Sequence, residues 1–147
     1  MKAIYSVIFL PFVFILLLGT PLKGSSDWEE FNTYKGKVYS YNKVNIKHGT
    51  NDIVQVWVKT VYSNEGRERD LQYMRKQGLS TAKEWDKLSD RLSLVELDCK
   101  KERTRVISIT YYDSDGGILY SKSSDKQDWK AIVTDSSFDI LRKKVCK

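Results

Sequence analysis

Residues 52–63, DIVQVWVKTVYS, alternate in a way that leaves little choice of backbone. Val54, Val56, Val58 and Tyr62 point one way, while Gln55 and Lys59 point the other beside Trp57 and Val61. A period of two is what a strand imposes, because successive side chains stand on opposite faces of a sheet. The pattern predicts a central strand with one well-buried face. Residues 91–101, RLSLVELDCKK, repeat it with Val95, Leu97 and Cys99 on a shared face. Residues 103–113, RTRVISITYYD, are β-branched and aromatic, as strands favour. These two stretches are close enough to form a hairpin at Lys101-Glu102. A second hairpin is expected in YYDSDGGILYS, where Asp115, Gly116 and Gly117 tolerate positive φ.

The polar, tyrosine-rich residues 27–49, broken by Gly36 and Gly49, suit short strands joined by turns. Residues 64–90 change character. Glu65 and Arg69 are spaced as a helix-surface pair, and Leu71, Met74 and Leu79 fall on one side, with Gly78 as the stop. A short helix or turn over 82–88 would turn Trp85 to the core. DWKAIV predicts a last short strand, and TDSSFDILRKKVC a terminal helix capped by Thr134, Asp135 or Ser136, with Phe138, Leu141 and Val145 on one stripe. Connections are too short for parallel crossovers. The expected fold class is therefore α+β: an antiparallel sheet of about five to six strands, a helical insertion and a packed C-terminal helix.

The chain opens MKAIYSVIFLPFVFILLLGTPLKGSSDW, a basic start, an apolar block from Ile4 to Leu18 and then small residues. This layout predicts a secretory signal peptide over residues 1–26, cleaved near Ser26, and a single domain over 27–147. The block falls short of the about 20 residues a membrane span needs, and Pro11 interrupts it; an uncleaved anchor is the alternative. No transmembrane span is expected after cleavage. The segment holds no cysteine, which excludes a lipoprotein start. Lys2 and Lys23 leave with the leader, so 25 basic residues fall to 23 against 19 acidic, a net charge of +4. That is too weak a positive balance for a nucleic-acid partner.

An exported chain with two cysteines is expected to oxidise them, and Cys99–Cys146 is the one intrachain bridge available. Without a CxxC spacing it reads as a structural staple rather than a redox centre. His48 is the only histidine and lies on an apparent loop, so a Ser-His-Asp triad would have to be built from that loop, which favours a polar loop residue, and zinc lacks enough His and Cys once the disulfide forms. DSDGG offers Asp113 and Asp115 but lacks the later ligands of a calcium loop, which favours a hairpin turn. The carboxylate pairs Glu29-Glu30, Glu68-Asp70 and Glu96-Asp98 have no evident apolar pocket to raise a pKa. No catalytic residue, metal or cofactor is predicted. Trp28, Trp57, Trp85 and Trp129 read as core and sheet packing, with Trp57 and Trp129 in apolar strands, or alternatively as a sugar-binding platform.

The bridge would bring two cationic runs together. Lys100, Lys101, Arg103 and Arg105 follow one cysteine, and Arg142, Lys143, Lys144 and Lys147 surround the other. Lys100, Lys101, Lys143 and Lys144 are the candidate contacts for an anionic partner: extracellular matrix, polysaccharide or an envelope component. The competing reading is a solvated helix end whose lysines complement the helix dipole.

Taken in order, DIVQVWVKTVYS, then LSLVELDCKKERTRVISITYYDSDGGIL, then DWKAIVTDSSFDILRKKVC resembles the surface-adhesin protein E family of bacterial exported proteins, from Trp28 to Cys146. The LDC that ends a strand, the tyrosine-rich strand and Asp-Gly turn behind it, and the final serine-started helix with its cysteine carry the likeness. The resemblance implies an antiparallel sheet with a packed C-terminal helix, a disulfide at Cys99 and Cys146, and no catalytic centre. It also implies a periplasmic, cell-surface or secreted protein that binds host matrix and serum proteins and is able to form a homodimer. The alternative function is a structural or accessory cell-envelope protein with no adhesive role.

Overall fold

The computed structural model describes residues 26–76, 83–124 and 126–147. The expected leader up to Gly24 and Ser25, and the helix stop at Gly78, lie outside the described residues. Strands β1 (Trp28–Tyr34), β2 (Lys37–Asn42), β4 (Ile53–Tyr62), β5 (Leu88–Asp98), β6 (Arg103–Asp113) and β7 (Ile118–Ser123) run side by side in that order, every pair antiparallel. Two short strands flank this path: β3 (Lys47–His48) pairs with β4, and β8 (Lys130–Ala131) with β6. The sheet thus has eight strands rather than five or six, and two helices, α1 (Asn64–Lys76) and α2 (Ser137–Val145), make the domain sheet-rich rather than a balanced α+β. Of the two-residue strands, β8 falls within the short strand expected at DWKAIV, and β3 is too short for periodicity to reveal.

Alternation in β4 becomes burial: Val54, Val56, Val58, Thr60 and Tyr62 are buried, and Gln55, Trp57 and Lys59 are half-buried. Cross-strand register extends the buried face to Tyr41 opposite Val58 and to Leu97 and Val95 opposite Val54 and Val56. Helix α2 closes this core with Leu141 and Val145, and Phe138, Cys99 and Cys146 pack against the same cluster. Ser136 is the N-cap, its Oγ accepting from the Asp139 N–H, which satisfies one of the donors a helix start leaves open. Trp57 lies on the other face of β4, and Trp129 precedes β8 rather than lying within a strand.

Helix α1 packs through Leu71 and Met74, with Glu65 and Arg69 paired at 2.7 Å on its outer side. Its first turn meets the β1–β2 turn so closely that a Cβ on Gly66 would run into the Gly36 carbonyl. Gly36 itself has φ +72° and would be strained by any side chain. A 3-10 turn, Lys83–Lys87, carries Trp85 edge-on to Tyr111 at 5.2 Å and beside Tyr120 at 6.5 Å. Trp85 therefore packs on the β6–β7 aromatics and not in the cluster under α2. The DSDGG turn uses its aspartate on its own backbone: Asp113 Oδ1 accepts from the N–H groups of Asp115 and Gly117.

Candidate functional site

The C-terminal end of α2 is tied to the sheet by the Cys99–Cys146 disulfide, with Cα atoms 5.6 Å apart. Cys99 is held by its N–H donating to the Asp52 carbonyl at 3.0 Å, and Cys146 by donating to the Arg142 carbonyl at 2.8 Å. The bridge joins the end of β5, which Lys100 and Lys101 follow, to the end of α2, where Lys143 and Lys144 precede Cys146. The cations of these two runs separate into two groups.

Most have carboxylates. Arg103 Nη2 lies 2.8 Å from Asp98, and Arg105 Nε 2.6 Å from Glu96, pairs set by the β5–β6 register. Both guanidiniums also lie over the Trp129 ring, 5.3 and 4.6 Å from its centroid. Arg142 reaches Asp139 at 2.9 Å and Glu102 at 3.1 Å. Lys143 meets Asp139 at 2.7 Å, and Lys144 meets Glu29 across to β1 at 2.9 Å. Asp139 is buried, and hydrogen bonds from Lys143, Arg142 and the Asp135 N–H hold its carboxyl down to about 2. The same kind of bond raises Lys143 and Lys144 above the ordinary lysine value, through Asp139 and Glu29 respectively. Arg103 likewise lowers Asp98, helped by the Lys101 N–H.

Lys100, Lys101 and Lys147 are exposed, and among the described residues none has a carboxylate within ion-pair distance. Lys100 and Lys101 line a shallow depression of about 400 Å³ with Asn51, Asp52 and Trp129. Of the four lysines that the sequence singles out, the fold leaves Lys100 and Lys101 open to solvent and engages Lys143 and Lys144. Lys143 and Lys144 themselves stay exposed and their pairs are screened by solvent, but the pairs occupy the charge.

A second feature lies toward the N-terminal end of α2. A groove of about 610 Å³ opens between β1, β2 and α2 over the face of β4, β5 and β6, lined by Phe31, Tyr39, Ile109, Phe138 and, at its charged point, Arg91. Arg91 donates from Nη2 to Thr60 Oγ1 at 3.1 Å, and its centre of charge lies 6.0 Å from the Tyr111 ring. Its Nε is buried without a hydrogen-bond partner. Sequence reading passed over Arg91, although stepping back by twos from Leu97 through Val95 and Ser93 lands on it. Tyr62, two residues past Thr60 on the same face, has a buried hydroxyl without a partner, and burial pushes it well above the usual phenol value.

An antiparallel sheet roofed by a C-terminal helix, with that helix locked to the sheet by a disulfide, defines a small disulfide-tied protein of the kind built for oxidising compartments. Among the described residues no helix is long and apolar enough to cross a membrane. The chain belongs to the surface-adhesin protein E family, whose model matches residues 28–147. It is also similar to the crystal structure, in crystal form II, of Haemophilus influenzae protein E, with 13% identity and a TM-score of 0.47 over 79% of this chain and 91% of that one. No curated protein matches the chain in sequence. Family membership makes this an adhesin-like surface protein, which implies an exported or cell-surface location.

Proposed function

We propose that this is a non-enzymatic binding protein, made with a signal peptide over residues 1–26 and working as a single domain over 27–147, that contacts an anionic matrix or envelope component through the basic surface beside its disulfide. The observation that supports the reading is the pair Lys100 and Lys101, exposed on a turn anchored by the Cys99–Cys146 bridge and without ion-pair partners among the described residues. A rigid turn presents these ammonium groups with little ordering of its own backbone on binding, and solvent-facing positive charge attracts anionic polymers in a salt-dependent way. Lys143 and Lys144 border the same surface but are engaged by Asp139 and Glu29, so they serve it less.

Heparin, a sulfated polysaccharide, is a suitable probe. Binding at low salt is expected to weaken about tenfold in the Lys100→Gln, Lys101→Gln double variant, and less in Lys143→Gln, Lys144→Gln. Full retention by the first variant would overturn the contact surface. A protein that binds neither heparin nor a panel of matrix and serum proteins would instead fit the accessory envelope role.

A further inference from the structure

Buried charge is normally paired, because leaving water is costly for an ion that nothing receives. Arg91 departs from this rule. It sits on the helix-facing side of a central strand, opposite Thr60 on β4 and Tyr111 on β6. Its side-chain partners among the described residues are neutral hydroxyls, Thr60 Oγ1 at 3.1 Å and Tyr111, and its Nε donates to nothing. Lys37, the other cation on the groove, is already paired with Asp70 at 2.7 Å. A part-buried guanidinium with no carboxylate in ion-pair distance among the described residues therefore borders a groove that is mostly aromatic and aliphatic, with Asn32, Ser93 and Asp135 also in its lining.

The volume of about 610 Å³ falls within the range of small-molecule sites, which are mostly apolar with a few polar groups fixing orientation. Two aromatic rings, Phe31 and Phe138, and the aliphatic Ile109 supply the apolar walls. A guanidinium fork matches a carboxylate in charge and in planar geometry. We infer that the groove is a binding site for a small amphipathic carboxylate, a molecule with an aromatic or alkyl body on the apolar walls and its carboxylate on Arg91. The ligand supplies the counter-ion that the fold withholds. This site is separate from the lysine surface at the other end of α2 and stands or falls independently of it.

The probe is 2-naphthoate, with 2-naphthamide as its uncharged match in shape, titrated calorimetrically into the disulfide-intact protein. Naphthoate is expected to bind at least tenfold more tightly than the amide. Arg91→Met removes that preference, and Ile109→Trp, which fills the groove without changing charge, weakens both ligands. Side-chain nitrogen NMR of the unaltered protein gives a readout that needs no variant: the Arg91 Nε–H signal shifts with naphthoate and stays in place with naphthamide. Equal affinity for acid and amide, absence of naphthoate binding, a preference that survives Arg91→Met, or an unmoved Arg91 signal would each overturn the site.

Discussion

The two ends of α2 use charge in opposite ways. At the C-terminal end, Arg142, Lys143 and Lys144 each meet a carboxylate, Leu141 and Val145 are buried, and a disulfide holds the end to the sheet. At the N-terminal end the helix borders a groove in which a part-buried arginine, its Nε enclosed, has no carboxylate within ion-pair distance among the described residues. At one end the helix's cations before Cys146 are satisfied internally, while Lys100, Lys101 and Lys147 beside them lack ion-pair partners among the described residues; at the other a guanidinium is left incomplete. The contrast teaches where to look for structure and where to look for ligands: a group whose partners are all within the chain contributes to the fold, and a group left unpaired at some energetic disadvantage is a candidate for recognition.

The clasp is where the largest effects are expected. Replacing Cys99 and Cys146 together by serine opens a loop with a sequence separation of 47, for which the chain-entropy model gives about 4 kcal/mol. Denaturant melts of the variant against the oxidised protein measure the loss; a difference under about 1 kcal/mol would show that α2 docks without its tether. Leu141→Ala comes next, since this side chain is 0% exposed and large-to-small changes in cores cost about 2–5 kcal/mol. The same melts report it. At the groove end the sign reverses. Arg91→Met removes a buried charge that lacks a counter-ion, so stability is expected to hold or rise by about 1 kcal/mol. A substantial loss would mean that Arg91 belongs to the structural half of the comparison.

The smallest effect concerns acid. Asp139 is held at about 2 in the fold against an ordinary 3.8, so the unfolded chain takes up this proton more readily. Its stabilising contribution is complete above about pH 4 and is lost as pH falls toward 2. Thermal melts across that window should decline, and Asp139→Asn should flatten part of the decline. An unchanged slope in Asp139→Asn would assign the acid sensitivity to Asp98 and Glu29, which are also lowered by cationic partners.

Much of the architecture was legible because local periodicity reports local geometry. The alternation through Val54, Val56 and Val58 named the buried face of β4, and Leu141 and Val145 named the buried stripe of α2. The hairpin turns and a helix cap among Thr134, Asp135 and Ser136 were readable for the same reason, since each is decided by residues within a few positions of one another, and the fold selects Ser136. Trp85 and Trp129 were misplaced because an aromatic residue beside a strand satisfies the same local pattern whether it packs in the core, on neighbouring rings or under an arginine. The β3 pairing was missed because two residues carry no period, whereas β8 falls inside the short strand expected at DWKAIV.

The candidate sites divide along the same line. The sequence alone determined that a disulfide would join Cys99 to Cys146, since two cysteines admit one intrachain pairing. Tertiary structure decided which cations remain available: Lys144 finds Glu29 across 115 positions, and Lys143 finds a buried Asp139. It also decided that Arg91 would line a groove with no carboxylate within ion-pair distance of it among the described residues. Charge is a property of composition, but its compensation depends on distances of a few ångströms between residues far apart in the chain, and only the packed fold sets those distances.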